Sequence, residues 1–420
     1  MKRSLVPLGV ALLLCQAPAS AEGPEGERVV LIGGTLIERE QAQGYLETRW
    51  TCARPDRPIT FRNLGWSGDT VEGPSRARFG TTADGFRHLK EHVLALKPTV
   101  IVVGYGGVEG FDGAAGVDRF RKGLDTLLDT LEPAHASLVL LTPNRQEDLG
   151  RPLPDPARHN ADLALYRDVI VRDAYKSRWS KYADQKRRAD YVDLFDDLPD
   201  GAKANPRRPL TDNGIHFNAY GYWRASAVID HKLNNFPRQW SVGCDLSDRV
   251  TVATNTQFTG TFTPIPGGLR LQLLDEALPA PLPPDGGPGL PGHAGTFETR
   301  TFRARNLGPG RYALTVDGKP VATAGADAWA QGVVIRQGPE FDQVEALRSV
   351  IVAKNELYFH RWRPQNETYL FGFRKHEQGR NAREIPEFDP LIAAKEAEIA
   401  RLRVPVPHVY ELTREGEVGR

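Results

Sequence analysis

Between residues 28 and 240, short apolar runs alternate with longer stretches in which apolar residues recur at helical intervals. The clearest helical stretch is 120–131, with Phe120, Leu124, Leu127, Leu128 and Leu131 on one face. Five runs have the composition of buried strands: 28–32, 58–64, 99–103, 137–141 and 191–195. Continuous apolar strands separated by helices predict a parallel sheet covered on both faces, here as one domain over residues 28–240.

The pattern changes after residue 240. Residues 241–345 contain short alternating runs and an Asp317-Gly318 pair, which is a strong hairpin signal and predicts a small β-rich module. Within it, 279–295 is rich in Pro and Gly and predicts an irregular loop. Residues 346–420 are polar with helical spacing, so we expect a mainly helical tail whose apolar stripe packs against the main domain.

Residues 1–21 have the pattern of a signal peptide: Lys2-Arg3, an apolar run at 8–15, and Ala19-Ser20-Ala21 as the cleavage site. The run is too short to cross a bilayer as a permanent helix. We therefore predict an exported protein, periplasmic or secreted, with no integral membrane segment after cleavage. At 420 residues and 40% hydrophobic, the chain is large enough for a sizeable core and two domains.

The near-neutral charge balance of the chain argues against two classes of binding partner. Cleavage removes Lys2 and Arg3, which lowers the 54 basic residues to 52, against 53 acidic ones. This balance does not favour nucleic acid or an anionic membrane surface. Cys52 and Cys244 remain, and export would permit a disulfide between them, although two separate buried thiols are the favoured interpretation.

Candidate chemistry follows the predicted strands at their carboxyl ends, where ligands bind in such sheets. Thr35 follows two glycines, Gly68 lies in a tight turn, and Gly106-Gly107 offers a close backbone approach. His216, in a loop rich in Asp, Asn and Gly, could take the proton from a hydroxyl nucleophile. Singly, the threonine is typical of a turn and the histidine of a surface loop. Their combination at successive strand ends is much more specific.

This order resembles the SGNH, or GDSL, hydrolase superfamily over about half of the chain. Residues 63–70 (N-L-G-W-S-G-D-T) match the second family block closely, while 33–35, 106–109 and 213–216 occupy the first, third and fifth. The resemblance implies a flavodoxin-like three-layer sheet and hydrolysis of acyl esters, including small-molecule and carbohydrate esters, with no cofactor and no metal. The domain order and the tail resemble an exported bacterial branch of this superfamily.

Three positions depart from the family pattern. Thr35 replaces the nucleophilic serine, and its additional methyl group crowds the approach. Val108 replaces the asparagine that donates to the oxyanion, a loss that costs on the order of 10²–10³ in rate in other enzymes. Asn213 replaces the aspartate that orients the histidine, and Asp212, one residue earlier, is its candidate substitute.

Two functions follow from these residues. In an esterase, Thr35 attacks, His216 is the base, Asp212 (or Asn213) orients His216, and the N–H groups of Thr35 and Gly68 form the oxyanion hole. In the alternative, the three changes have left a catalytically degraded scaffold that binds a glycan or another ligand without turnover.

Two further groups are weaker candidates. His88 and His92 have a metal-ligand spacing, but no third ligand is evident and a surface helix is the favoured interpretation. The aromatic residues of the tail predict a sugar-stacking wall or, more simply, packing between domains: Phe359, Trp362, Tyr369, Phe371 and Phe373.

Overall fold

A computed structural model describes the greater part of the chain, including all the candidate site residues. The described ranges are 26–183, 185–198, 201–204, 208–234, 239–246, 249–260, 262–285, 299–377 and 379–416. The predicted signal peptide at 1–21 and most of the Pro- and Gly-rich segment 279–295 lie outside them.

Five parallel strands form the sheet of the N-terminal domain, in the order β2-β1-β3-β4-β5. The strands are β1 Glu27–Gly33, β2 Ile59–Asn63, β3 Val100–Gly104, β4 Ser137–Leu141 and β5 Ala189–Val192. This arrangement confirms the predicted flavodoxin-like fold. Because the strand order reverses between β1 and β3, the segments that follow these two strands diverge and open a crevice.

Helices cover both faces of this sheet. The predicted helix over 36–50 is two helices, α1 Thr35–Glu40 and α2 Tyr45–Ala53. The chain turns at Gly44, which has a positive φ of 66°, and a Cβ there would lie 3.1 Å from the Val352 side chain. The other helices are α3 Thr82–Ala95, α4 Val117–Leu131, α5 Ala157–Asp168, α6 Tyr175–Tyr182, α7 Leu194–Asp197, α8 Gly201–Ala204 and α9 Ala219–Asn234, with a π-helical turn between α5 and α6.

Alternate residues of each central strand enter two different apolar clusters. Val30 and Ile32 pack with the α4 face, whereas Val29 and Leu31 pack with α2 and α9. Both faces of the sheet are therefore buried, which explains why these strands are continuous apolar runs in the sequence.

The β-rich module consists of two sheets around a third apolar cluster. One sheet has the order β13-β12-β15-β10-β8 with β9 paired to β10, and the other has the order β14-β11-β6-β7. Their strands are β6 Trp240–Asp245, β7 Arg249–Thr254, β8 Thr256–Phe258, β9 Thr263–Ile265, β10 Gly268–Asp275, β11 Arg300–Arg305, β12 Arg311–Val316, β13 Lys319–Gly325, β14 Val333–Val334 and β15 His408–Arg414.

Strand β15 departs from the predicted helical tail. It lies between β10 and β12 and alternates buried with partly buried residues, as a half-covered strand does. The hairpin predicted at Asp317-Gly318 joins β12 to β13, with positive φ at both turn residues.

The helices of the C-terminal part are α10 Ala326–Gln331, α11 Pro339–Trp362, α12 Glu367–Leu370 and α13 Phe388–Leu402. Helix α11 begins before the predicted boundary at 345 and packs on α2, β2 and α13. On α11, the buried Lys354 ammonium binds both oxygens of Glu47, at 2.7 and 2.8 Å, and donates to the Phe61 carbonyl. The tail is thereby anchored to the sheet domain by a charge pair as well as by apolar contact.

Cys52 and Cys244 do not form a disulfide with each other. Cys52 is buried in the cluster between α2 and α11, and Cys244 is buried in the core of the β-rich module. None of the helices described is both long and apolar enough to cross a membrane.

Candidate active site

Thr35 and Gly68 meet at the carboxyl end of the sheet. Strand β1 ends at Gly33 and α1 begins at Thr35, so the hydroxyl lies at the start of a helix. A Cβ on Gly33 would lie 2.3 Å from the Gly104 carbonyl oxygen, and the glycine therefore permits the close approach of β1 and β3. The Gly68 N–H donates to Thr35 Oγ1 at 3.4 Å.

The loop that carries Gly68 is held by its own side chains. Asn63 accepts from the Gly65 N–H at 2.8 Å and donates to the Ile37 carbonyl at 2.6 Å. The buried Asp69 carboxylate accepts from the Arg76 guanidinium at 2.6 Å and from the Tyr105 hydroxyl at 3.3 Å. The polar residues of the second block thus set the geometry of the loop.

Val108 occupies the position at which the resemblance to SGNH hydrolases predicts an asparagine that donates to the oxyanion. Its Cγ2 atom would be 3.8 Å from a Cβ built on Gly34, next to Thr35. The neighbouring Glu109 is buried and accepts from the N–H groups of Val71 and Gly106, at 3.0 and 2.9 Å, while burial raises the pKa of its carboxyl. At this position the chain offers no side-chain donor to an oxyanion.

Asn213 determines the tautomer of His216. Its Oδ1 accepts from the N–H groups of Ile215 and His216, at 3.2 and 2.9 Å. The amide nitrogen Nδ2 therefore faces the ring and lies 3.2 Å from His216 Nδ1. Because Nδ2 can only donate, Nδ1 must accept, and the proton of the neutral ring is on Nε2. A base acting through Nε2 needs the opposite tautomer.

Asp212 does not take the orienting position predicted for it. Its carboxylate pairs with Arg39 Nη2 at 3.1 Å and, among the described contacts, makes no hydrogen bond to the His216 ring; only the Asp212 backbone N–H contacts His216, at its carbonyl oxygen. The contact to the ring comes from Asn213 instead. Burial lowers the pKa of His216, the Arg39 charge lowers it further, and Asp212 partly offsets both effects. His216 is consequently neutral at neutral pH.

Glu147 holds the loop that carries His216 and was not identified from the sequence. Its carboxylate accepts from the N–H groups of Leu210 and Thr211, each at 2.9 Å, and from the Thr211 hydroxyl at 2.6 Å. Its own N–H donates to the Gly214 carbonyl at 2.7 Å. The partners lie more than sixty positions further along the chain, so no local motif marks this glutamate.

These elements enclose a mainly apolar cavity of about 110 Å³. Thr35, Val108 and His216 all line it, together with buried Tyr105 and Leu163. At the rim the exposed Phe111 ring stacks on His159, with centroids 4.2 Å apart. The cavity brings together the candidate nucleophile and base, although no hydrogen bond among the described residues joins Thr35 to His216.

The weaker candidates have structural roles. His88 Nδ1 lies 3.0 Å from the Arg76 carbonyl oxygen, and His92 packs edge-on against Trp362. In the described part of the chain, no three His, Cys, Asp or Glu side chains converge as metal ligands. None of the five tail aromatics lines the cavity, and Trp362 packs against Trp66, as expected for packing between domains.

Comparisons with known proteins find solved structures of similar fold. A solved structure of a gut microbial diltiazem-metabolizing enzyme has a TM-score of 0.70 at 14% identity, and the alignment covers 93% of this chain and 98% of that one. The alignment shows that this solved structure shares nearly the whole fold of the present chain, including the β-rich module and the tail helices.

Two smaller structures match only half of the chain. An acetylxylan esterase from Geobacillus stearothermophilus has a TM-score of 0.37 at 17% identity, covering 50% of this chain and 94% of its own. LAE5, an alpha/beta hydrolase from the metagenome of Lake Arreo, has a TM-score of 0.36 at 19% identity, covering 50% and 95%. Among curated proteins, no sequence matches significantly.

Residues 33–224 match the model of the GDSL-like lipase/acylhydrolase family. The match begins at the end of β1 and extends past His216 into α9, and it therefore spans every predicted site residue. The sheet domain of the chain therefore belongs to the GDSL-like lipase/acylhydrolase family, by a match that covers 192 of the 420 residues.

Proposed function

We propose that this protein hydrolyses esters and that Thr35 Oγ1 is the attacking atom. The observation that carries the proposal is the 3.4 Å contact between the Gly68 N–H and Thr35 Oγ1, because Thr35 lines the same cavity as His216. A backbone donor beside the attacking hydroxyl suits acyl transfer, because the charge that develops on the carbonyl oxygen then meets a preorganised N–H.

In the proposed mechanism, Thr35 Oγ1 bonds to the carbonyl carbon and its proton passes to His216 Nε2. The N–H groups of Thr35 and Gly68 stabilise the oxyanion. When the tetrahedral intermediate collapses, His216 returns the proton to the leaving alkoxide and an acyl group remains on Thr35. Water, deprotonated by His216, then releases the carboxylic acid and restores the hydroxyl.

The same geometry implies slow turnover. Before His216 Nε2 can accept a proton, the ring must give up the tautomer that its contact with Asn213 selects. In triad enzymes the wrong tautomer costs about 10⁴ in kcat. The missing donor at Val108 adds a further cost on the order of 10²–10³.

Ligand binding without turnover is the second candidate, and the Asn213 contact favours it. A neutral His216 with its proton on Nε2 is a hydrogen-bond donor at the cavity, and the Gly68 N–H is a second donor beside Thr35, which lines the same cavity. Two such donors would hold a carbonyl or carboxylate oxygen of a ligand in place without removing any proton.

We propose esters of short acyl groups as substrates, on small molecules or carbohydrates. The cavity of about 110 Å³ is smaller than the roughly 150 Å³ that accommodates benzene in an engineered protein. We also propose that the protein acts after export, in the periplasm or outside the cell, because residues 1–21 have the pattern of a signal peptide.

Hydrolysis of nitrophenyl acetate, butyrate and octanoate and of acetylated sugars tests the proposal. We expect purified protein to hydrolyse the acetate fastest and Thr35→Ala and His216→Ala to lose that activity. Full activity in Thr35→Ala would refute Thr35 as the nucleophile. If the wild type has no activity but binds the acid product in calorimetry, and His216→Ala weakens that binding, the second candidate is correct.

A further inference from the structure

The end of helix α11 reaches the loop that carries Gly68. Arg363, which directly follows α11 and lies outside the family match, places its Nη1 atom 2.7 Å from Glu38 Oε2. The same oxygen accepts from the Ser67 N–H at 2.6 Å. The pair is largely shielded from water, with the Arg363 and Glu38 side chains 25% and 19% exposed.

Glu38 links the two parts of the proposed site. It lies on α1, one helical turn after Thr35, while Ser67 directly precedes Gly68. One carboxylate oxygen therefore bridges the helix that begins at the nucleophile and the loop that supplies the oxyanion donor. This bridge therefore joins the two residues whose separation matters for the proposed chemistry, through one oxygen of Glu38.

Trp66, the residue before Ser67, is also contacted by the end of α11 and the residue that follows it. The Arg363 guanidinium lies 3.7 Å from the centroid of the Trp66 ring, and Trp362 packs edge-on against that ring at 5.7 Å. The backbone N–H of Trp66 donates to the Gly33 carbonyl at 2.9 Å, which ties the backbone at this residue to the end of β1. The C-terminal part thus contacts this loop in two ways. Arg363 and Trp362 contact the Trp66 side chain directly, and Arg363 acts through Glu38 on the Ser67 backbone amide.

We infer that Arg363 and Glu38 are positioning residues for the oxyanion loop, so that the C-terminal part completes an active site that the matched family segment does not complete alone. This inference rests on the proposed ester hydrolysis. Without Arg363, the Glu38 carboxylate keeps only a backbone partner in a half-buried place, and rotation into water releases Ser67. A misplacement of about 1 Å in such a site costs on the order of 10²-fold in rate.

Arg361 provides a matched control. It lies two residues earlier on α11 and pairs with Asp389 on α13, at 2.8 and 3.2 Å, with no contact to the oxyanion loop among the described residues. Arg361→Ala therefore removes the same charge and a more exposed ion pair, two residues away in the chain. Loss of general helix docking would affect both variants alike.

Amide hydrogen exchange of the full-length protein is the first test, and it requires no turnover. We expect Arg363→Ala to accelerate exchange across residues 64–70 while Arg361→Ala leaves it at the wild-type rate. Thermal unfolding of both variants shows whether either has lost the overall fold. Equal exchange of this segment in the two variants would overturn the inference.

Ester kinetics are the second test. We expect Arg363→Ala to lower kcat by on the order of 10–100-fold with KM unchanged, because the loop acts on the transition state. Arg363→Lys restores part of kcat, since lysine keeps the charge but lacks the planar group that stacks on Trp66. A loss confined to KM, or an equal loss of kcat in Arg361→Ala, contradicts the positioning role. If the wild type is inactive, the proposed function fails, while the exchange comparison still decides whether Arg363 holds the loop.

Discussion

Asn213→Asp tests whether the tautomer of His216 limits the rate. The substituted carboxylate can keep the two N–H contacts that Asn213 Oδ1 accepts, and its second oxygen replaces the amide nitrogen 3.2 Å from Nδ1. That oxygen accepts a hydrogen bond from Nδ1, whereas the amide nitrogen donates one to it. Nδ1 then carries the hydrogen, and Nε2 has a lone pair available for the Thr35 proton.

The electrostatic energy between the new carboxylate and the protonated ring gives an upper limit for the increase in rate. In the transition state the ring is protonated, and a carboxylate about 4 Å away stabilises it by about 4 kcal/mol at an effective dielectric constant of 20. At 1.36 kcal/mol per decade, this corresponds to about 10³ in rate. Because residue 213 is exposed, solvent screening reduces that value. We therefore expect kcat/KM to rise between about 10- and 10³-fold.

The pH profile provides a second readout with a defined sign. Burial, followed by the Arg39 charge, lowers the pKa of His216 in the wild type, so the neutral ring persists to lower pH than in an unperturbed histidine. A carboxylate at 213 raises the pKa of His216 because it favours the charged ring. The acid limb of kcat/KM should therefore move to higher pH in Asn213→Asp than in the wild type.

The assay is hydrolysis of nitrophenyl acetate over the range in which histidine titrates, with Asp212→Asn as control. That control removes an acidic group that pairs with Arg39, and we expect it to leave kcat close to the wild-type value. Mass spectrometry of the wild type must verify residue 213 as Asn, because an Asn followed by Gly is prone to deamidation. The reasoning is wrong if Asn213→Asp is no faster than the wild type, or if Asp212→Asn abolishes activity.

Two other substitutions have expected outcomes. Val108→Asn places an amide beside Thr35 and should raise kcat by up to about 10²-fold with little change in KM, measured with the same ester; an unchanged kcat would show that the amide does not reach the oxyanion. Lys354→Ala leaves the buried Glu47 without its cation and should lower the free energy of unfolding by about 3–5 kcal/mol in urea titrations, whereas the exposed Arg361→Ala should change it by less than about 1 kcal/mol.

The sheet and the place of the site could be predicted because their signals are local. Apolar runs, glycine turns and the N-x-G-x-S-G-D-T block each lie within a few residues. The choice between Asp212 and Asn213 as the partner of His216 could not be made from the sequence, because it depends on Arg39, which lies 173 positions before Asp212 and pairs with that carboxylate. The contact of Arg363 with Glu38 could not be predicted for the same reason, since 325 positions separate the two residues.

Strand β15 sets an order of events during folding. It is flanked by β10 and β12 and contains residues 408–414, so the larger sheet of the module cannot close until nearly the whole chain is available. Before then, β10 and β12 each present an unpaired edge, the kind of surface that recruits strands from other molecules. Chains cut short before residue 408 should therefore aggregate through this module even when the sheet domain has formed, and refolding yield should fall steeply with protein concentration.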